Sequence, residues 1–267
     1  MTSEIYCSKT EQREEFIARV LEKIWKNKQD QKVFVKPNVV SYEKYPTTTH
    51  PKTLQTVLEF LLKQGCEVIV GDGPAPDAGK SSKILHDHPL THLCSSVGVD
   101  LLNIHKRDFQ KIHTSSGFKL EVSKIPFAFD TIISLPVLKT HFRCDITGAL
   151  KNQFGLLSNT ERIIMHFRIK DIHRGIAELN TIFKPDIIIM DAIYTYKHGQ
   201  EERHGGKKVK LGYMLAGSDP VALDCKGLSL LKDVEPKLVN KNPEDIGYIA
   251  WAMKLGVGDK GYTEINI

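Results

Sequence analysis

Residues 131–141 read TIISLPVLKTH, in which the apolar run 131–135 is followed within a few positions by Lys139, Thr140 and His141. A run without polar alternation is typical of a strand that is buried on both faces, as in a parallel sheet between helices. Ligands of such sheets bind at the carboxyl ends of the strands. We therefore predict an α/β fold in which the polar residues after Leu135 lie at a binding site.

Apolar runs and amphipathic patterns alternate along the rest of the chain. Strands are predicted over residues 33–36, 67–70, 99–102, 118–122, 131–135, 186–191, 209–216 and 263–267. Helices are predicted over residues 10–24, 51–64, 80–97, 169–183, 220–231 and 244–255, with a break at Pro89. This order predicts a Rossmann-like α/β fold with a largely parallel or mixed sheet and helices on both faces. The half-exposed run 118–122 indicates a mixed edge, and because no repeat or linker divides the chain we expect one domain over 1–267.

Charge and hydropathy exclude several classes of function. The chain has 267 residues and a net charge of +5, but its 37 basic and 32 acidic residues are interleaved, so nucleic-acid binding and membrane-surface binding are not expected. Residues 1–30 lack an apolar segment typical of a signal peptide, and no apolar run is long enough to span a membrane. The small positive excess favours an anionic small molecule as ligand.

The cysteines indicate the redox compartment. Five are present, at positions 7, 66, 94, 144 and 225, and no two of them form a C-x-x-C pair. An odd number without such pairs argues against a disulfide framework and against a ferredoxin-type cluster motif. We expect a reducing compartment and a cytoplasmic protein.

Two lysines in the window after the central strand are candidate anion ligands. Lys139 and Lys151 are twelve positions apart, and an ammonium group suits phosphate or carboxylate. When partly buried, its pKa can fall far enough for acid–base or Schiff-base chemistry. Two lysines alone would be interpreted as a solvated surface pair. Their neighbours in the sequence favour a functional cluster, namely His141, Thr147, Asn152, Arg162 and His166.

His141 and His166 have three interpretations that the sequence leaves open. Imidazole titrates near neutral pH, so each histidine suits general acid–base catalysis or hydrogen bonding to an anion. The same pair could bind a metal ion, although zinc would need a third ligand. Candidates for that ligand are His50, Asp72, Asp191 and Cys144, and no local pattern selects one of them.

Polar residues also follow the other predicted strands. Lys36 and Asn38 flank the proline that ends the first, Asp72 lies between two glycines after the second, and Asp191 ends the strand 186–191. Thr49 precedes a helix whose free backbone N–H groups would suit an anion. Ordinary turn and capping chemistry would explain each of these residues alone. Their position at adjacent strand ends favours ligand binding.

The segment Tyr194 to Lys208 is polar and contains three glycines. This composition is typical of a mobile loop or lid rather than of a core element.

Several blocks of sequence together resemble the DUF362 family, a domain of unknown function found in many bacteria and archaea. The blocks are VKPN at 35–38, TTTHP at 47–51, GDG at 71–73, LKTH at 138–141, LKNQFGL at 150–156, MD at 190–191 and GSDPVALD at 217–224. Many members carry a ferredoxin-like cluster domain, so the resemblance implies redox or cofactor chemistry, an iron–sulfur association and a redox partner. This sequence differs from those members in that it contains no ferredoxin-type cluster motif.

A remote resemblance to the nickel-pincer lactate racemase family rests on the order of these blocks. A threonine-rich turn precedes a helix, and a basic residue with a histidine follows a strand before a second lysine and a second histidine. In that family, histidines and a lysine hold a metal-bearing nucleotide. The comparable residues here would be Lys139, His141, Lys151 and His166. This sequence differs from that family in lacking the glycine-rich stretch around the racemase lysine.

These observations predict a cytoplasmic enzyme, an oxidoreductase or an isomerase, that binds an anionic ligand at the strand ends. The ligand would be nucleotide-like or metal-bearing. The predicted catalytic residues are Lys139, His141 and His166, with His141 and His166 as the metal ligands if a metal is bound. The predicted ligand-binding residues are Lys36, Asn38, Thr49, Asp72, Thr147, Lys151, Asn152, Arg162 and Asp191. The alternative is a non-catalytic protein that binds or carries a cofactor or an iron–sulfur cluster.

Overall fold

The computed structural model describes residues 2–26 and 28–267. Its strands are β1 (Ser3–Lys9), β2 (Lys32–Pro37), β3 (Glu67–Asp72), β4 (Leu101–Asn103), β5 (Phe109–His113), β6 (Lys119–Ser123), β7 (Thr131–Leu135), β8 (Lys139–His141), β9 (Asp145–Thr147), β10 (Ile187–Lys197), β11 (Lys207–Gly217) and β12 (Tyr262–Asn266). Its α-helices are α1 (Arg13–Ile24), α2 (Pro51–Lys63), α3 (Ser81–His86), α4 (Pro89–Ser96), α5 (Ala149–Asn152), α6 (Asn159–His166), α7 (Ile172–Ile182), α8 (Pro220–Leu231) and α9 (Gly247–Lys254).

An eight-stranded sheet forms the centre of the fold, in the order β12-β1-β11-β10-β7-β2-β3-β4. Strand β11 pairs antiparallel with both β1 and β10, and the other neighbouring pairs are parallel. The predicted largely parallel α/β sheet is therefore confirmed. Two small antiparallel sheets, β5-β6 and β8-β9, lie outside it.

The sheet buries both of its faces, as the continuous apolar strands predict. Along β10, Ile187 and Ile189 contact one hydrophobic cluster, which includes residues of α1, α2 and α4. The alternate residues Ile188 and Met190 contact a second cluster, formed with residues of α5, α7, α8 and α9. Because successive side chains of a strand point to opposite faces, this alternation places helices on both faces of the sheet, as predicted.

Three local predictions differ from the structure. Residues 3–9 form the strand β1, which the sequence analysis did not predict. The half-exposed strand near 118–122 pairs with β5 in a separate sheet and is not an edge of the central one. The predicted loop from Tyr194 to Lys208 begins inside β10 and ends inside β11, so only the part between Lys197 and Lys207 lies outside a strand.

Candidate functional site

A cavity of about 340 Å³ opens at the carboxyl ends of β2 and β3 and beside the β8-β9 hairpin. This volume is within the range of small-molecule sites. Ten of the predicted site residues line it: Lys36, Asn38, Asp72, Lys139, His141, Thr147, Lys151, Asn152, Arg162 and His166. The structure thus brings together side chains from strands that are distant in sequence, because β2 and β7 are parallel neighbours and β2 also pairs with β3.

Thr49 and Asp191 do not line this cavity. The Thr49 hydroxyl donates to the Leu135 carbonyl oxygen at 2.7 Å and accepts from the backbone N–H of Asn38 at 2.8 Å. The Asp191 carboxylate accepts from Arg13 Nε at 2.7 Å and from the Tyr45 hydroxyl at 2.6 Å. Both side chains connect structural elements and lie outside the lining of this cavity.

Several lining residues were not predicted. Among them are the polar residues Asp77, Gln200, Glu201 and His204, of which the last three lie in the loop between β10 and β11. Arg203 binds Glu201 at 2.7 Å and Asp77 at 3.2 Å, and His204 Nε2 lies 3.2 Å from Asp77. These ionic contacts hold the loop against the cavity rim. The opposite charges of Asp77 and of Arg203 could have indicated this contact. The two residues are far apart in the sequence, so the sequence analysis did not connect them.

Lys36 and Asp72 form a buried ion pair with an N–O distance of 2.6 Å. The Asp72 carboxylate also accepts from the backbone N–H groups of Val39 at 2.6 Å and Gly73 at 2.7 Å. Burial lowers the pKa of Lys36, whereas Asp72 raises it. Gly155 packs directly against the pair. A larger residue would not fit there, because its Cβ atom would lie 2.1 Å from Asp72 Oδ1. The charge of Lys36 is therefore neutralised by Asp72, and the lysine side chain forms part of the cavity wall.

Lys139, Lys151 and Arg162 supply cationic groups that lack a carboxylate partner at salt-bridge distance in the described part of the chain. Lys139 donates to the Thr47 carbonyl oxygen at 2.6 Å, and burial lowers its pKa to about 8. Lys151 Nζ makes no hydrogen bond to the described residues and lies 5.1 Å from the centre of the Phe154 ring. Burial also lowers the pKa of Lys151. Three such cations at one cavity favour an anionic ligand.

Backbone carbonyl groups hold one end of the Arg162 guanidinium in the cavity lining. Its NH1 atom donates to the carbonyl oxygens of Gly73 at 2.9 Å and Pro74 at 2.8 Å, and lies 2.9 Å from His105 Nε2. Its Nε atom is buried and has no hydrogen-bond partner. A buried N–H without a partner is unfavourable by about 1–3 kcal/mol, so an acceptor from a ligand would stabilise it.

His141 presents a proton to the cavity. Its Nδ1 atom accepts from the backbone N–H groups of Arg143 at 3.1 Å and Cys144 at 3.2 Å. An Nδ1 that accepts two hydrogen bonds carries no proton, so the neutral ring has its proton on Nε2. Burial lowers the pKa of His141 well below its usual value, and the cation Lys151 lowers it further. His141 is therefore a neutral hydrogen-bond donor.

His166 has the opposite tautomer. Its Nδ1 atom lies 2.6 Å from the carbonyl oxygen of Arg162, one turn earlier in α6, and must donate because a carbonyl only accepts. The Nε2 atom of the neutral ring is then free to accept a proton. Burial lowers the pKa of His166 below its usual value, so this ring is neutral at pH 7. The two rings are close enough for charge on His166 to lower the pKa of His141.

The predicted metal site of His141 and His166 does not fit these tautomers. A histidine that binds a metal through Nε2 donates its Nδ1 proton to another group, as His166 does. His141 cannot do so because its Nδ1 accepts from two amides. In residues 2–26 and 28–267 no three His, Cys, Asp or Glu side chains are grouped for metal binding. The donor set of this cavity thus suits an anion better than a metal-bearing nucleotide held by both histidines.

Asp224 positions the short helix α5, which carries Lys151 and Asn152. Its buried carboxylate accepts from the backbone N–H groups of Ala149 at 2.6 Å and Leu150 at 3.2 Å. We expect Asp224→Asn to lower the free energy of unfolding by about 1–3 kcal/mol, because the amide NH₂ would face an N–H donor. Urea unfolding would measure this change. Asp233→Asn, on an exposed turn with no ion pair in the described residues, is the control and is expected to change stability by less than about 0.5 kcal/mol.

The fold and the cavity define an α/β protein with a cation-lined pocket at its strand ends. The chain belongs to the family described as domain of unknown function (DUF362), whose model matches residues 33–229. It is 26% identical over 200 residues to the thylakoid-associated protein sll1697 of Synechocystis sp., a match that covers 72% of this chain and 60% of that protein. The predicted family is confirmed.

A solved structure shows the same fold. The lactate racemase apoprotein from Thermoanaerobacterium thermosaccharolyticum superposes with a TM-score of 0.55 and 16% sequence identity, over 87% of this chain and 57% of that chain. This chain therefore spans about 60% of the length of either protein. In the described part of the chain, no helix combines the length and the hydropathy that crossing a bilayer requires.

Proposed function

We propose that this protein is an enzyme that binds a small carboxylate and removes a proton from the carbon next to its carboxyl or carbonyl group. The complementary tautomers of His141 and His166 in one cation-lined cavity carry this proposal. The fold similarity to a lactate racemase apoprotein supports an isomerase or racemase over an oxidoreductase.

In this proposal the cationic side chains bind the carboxylate of the substrate, and the two histidines take part in the proton transfer. Lys139, Lys151 and the free edge of Arg162 hold the carboxylate. His166 Nε2 takes the proton from carbon, the C–H electron pair forms a C=C bond, and the carbonyl π electrons move to oxygen. His141 Nε2–H donates a hydrogen bond to that developing oxyanion, as a donor in a water-poor site is suited to do. Return of the proton from His166 to the same face of the carbon completes the exchange, and the centre is inverted when the planar intermediate turns its other face to His166 first.

Exchange in D₂O tests the reaction. For at least one member of a panel of 2-hydroxy and 2-oxo carboxylates, we expect the signal of the C–H next to the carboxyl group (2-hydroxy) or next to the ketone carbonyl (2-oxo) to disappear from the ¹H NMR spectrum. Chiral chromatography of the same samples shows whether the configuration changes. If no carboxylate of the panel exchanges, although one binds, the proposed reaction is wrong and a binding role remains.

Lys151→Met tests the binding site directly. Methionine keeps most of the side-chain volume and removes the charge, so we expect carboxylate affinity to fall by about 10- to 100-fold, as for the loss of a charged hydrogen bond. Isothermal titration calorimetry would measure the affinity, and circular dichroism would confirm folding. Lys254→Met, a distant lysine on α9, is the control. Unchanged affinity in Lys151→Met would contradict the assignment of the site.

The pH dependence of binding tests the role of Lys139. Its pKa of about 8 means that the ammonium is charged below this pH and neutral above it. We therefore expect carboxylate affinity to be constant below pH 7 and to fall as the pH rises through about 8. Lys139→Met is expected to bind the carboxylate more weakly than the parent, with an affinity that does not change over this pH range.

The alternative of a cofactor or cluster carrier finds no support in the described residues. All five cysteines are buried, and they form no group suited to a metal or a cluster. Burial raises the pKa of Cys144 to about 11, so the thiol beside the cavity stays protonated. We propose a cytoplasmic location because a set of unpaired, reduced cysteines suits a reducing compartment.

A further inference from the structure

A second cavity, of about 530 Å³, adjoins the β8-β9 turn, whose residues Phe142 and Arg143 also line the first cavity. It is bounded by the turn itself, by the segment after α6 and by the first residues of α7. Its polar lining consists of Arg143, Arg168, Lys170, Asp171 and His173. Four of these five residues are basic, and the proposed reaction uses none of them.

Two side-chain nitrogen atoms among the lining residues are buried and have no hydrogen-bond partner. They are Arg143 Nε and His173 Nδ1. The Arg143 guanidinium lies over the ring of Phe142, at 5.5 Å from its centre, which holds the planar group at the cavity wall. Because buried polar atoms are nearly always hydrogen-bonded in folded proteins, an acceptor from a ligand would stabilise the Arg143 Nε–H group.

The acidic groups near the second cavity are already engaged. Asp171 accepts from the backbone N–H groups of His173 at 2.9 Å and Arg174 at 3.1 Å, so it caps α7. Glu161 binds Lys170 at 2.6 Å. In the described part of the chain neither Arg143 nor Arg168 has a carboxylate within salt-bridge distance. Two guanidinium groups thus remain without a counter-charge at one cavity.

The backbone of Arg168 is also unusual. Its φ angle is +61°, in the left-handed region that residues other than glycine rarely adopt. This conformation follows the last turn of α6 and leaves the Arg168 side chain exposed, where solvent and ligand can reach it. A left-handed residue at this position is a common way to end a helix, and here the backbone N–H of Ile169 donates to the Ile164 carbonyl oxygen at 3.0 Å.

We infer that the second cavity binds a phosphate group, with Arg143 and Arg168 as its charged ligands. A guanidinium group offers parallel N–H donors that match two oxygens of a phosphate, which lysine does not. Phe142 and Arg143 line both cavities, so the two sites share a wall. The ligand class is a phosphate monoester, and the inference does not depend on the reaction proposed for the first cavity.

Titration with inorganic phosphate, followed by ¹⁵N–¹H NMR, tests this site. It is best done in the Lys151→Met variant, which weakens anion binding in the first cavity. We expect saturable shifts of the amide signals of residues 143 and 168–174. In Arg143→Gln/Arg168→Gln the dissociation constant is expected to rise by about 10- to 100-fold, as for the loss of charged hydrogen bonds.

The control is Arg19→Gln/Arg107→Gln, which removes the same charge from exposed positions away from both cavities. It is expected to bind phosphate like its parent. Arg168→Gln alone changes only an exposed side chain, so it tests the site even if the double variant fails to fold. Shifts confined to residues 147–152, or equal affinity in Arg168→Gln and the control, would overturn the proposal.

Discussion

Replacing His166 by glutamine is expected to slow proton exchange by about 10²- to 10⁴-fold, the usual contribution of a positioned general base. Glutamine is similar in size and can still contact the Arg162 carbonyl oxygen, but it has no nitrogen lone pair that takes a proton. Its carboxylate affinity is expected to stay near that of the parent, because the cations that bind the ligand are unchanged. The measurement is the exchange rate in D₂O at saturating carboxylate.

The pH profile of the parent protein tests the same assignment. Burial lowers the pKa of His166, so the base is protonated and inactive only at acidic pH. The rate should rise with pH through a midpoint below 6.5, the usual value for histidine, and then level off until Lys139 loses its charge near pH 8. A rate in His166→Gln equal to that of the parent, or a midpoint clearly above 6.5, would contradict the role of His166.

His141→Gln separates the two histidines. A glutamine NH₂ can still donate a hydrogen bond toward the cavity, whereas His141→Ala removes the donor. Loss of one oxyanion donor lowers rates by about 10²- to 10³-fold. We therefore expect a larger defect in His141→Ala than in His141→Gln. Equal defects in the two variants would indicate that His141 transfers protons itself, because neither glutamine nor alanine can do so.

The sheet and most of the cavity lining could be predicted because both depend on local pattern. The apolar runs of β7 and β10 identify buried strands, and the rule that ligands bind at the carboxyl ends of parallel strands then places Lys36, Lys139 and Lys151 together. The strand β1 escaped prediction because it pairs with residues 213–217 at the far end of the chain. Such pairing leaves little trace in the local sequence.

The roles of individual polar residues could not be predicted in the same way. A carboxylate after a buried strand, such as Asp191, looks like a ligand until its partner Arg13, 178 positions away, is known. The tautomers of His141 and His166 depend on which backbone groups face their Nδ1 atoms, and only the folded turn and helix determine this. Chemistry at this site thus depends on backbone geometry more than on residue type.

Asp72→Asn is expected to produce the largest loss of stability among these variants, about 3–5 kcal/mol in the free energy of unfolding. The substitution leaves the Lys36 ammonium buried without a counter-charge and weakens the acceptor for two backbone N–H groups. Urea unfolding at pH 7 would measure the loss. Glu67→Gln, which removes one side of an exposed ion pair of 3.8 Å, is the control and should cost less than about 1 kcal/mol.

A double-mutant cycle shows whether the loss comes from the unpaired charge. In Lys36→Met/Asp72→Asn no charge remains at the pair, and methionine fills much of the space of the lysine, so the double variant should be more stable than Asp72→Asn alone. If instead the two substitutions add, the loss in Asp72→Asn comes from the backbone contacts of Asp72 at Val39 and Gly73. In that case the carboxylate would hold the ends of β2 and β3 together without help from Lys36, and the lysine would be available to a ligand.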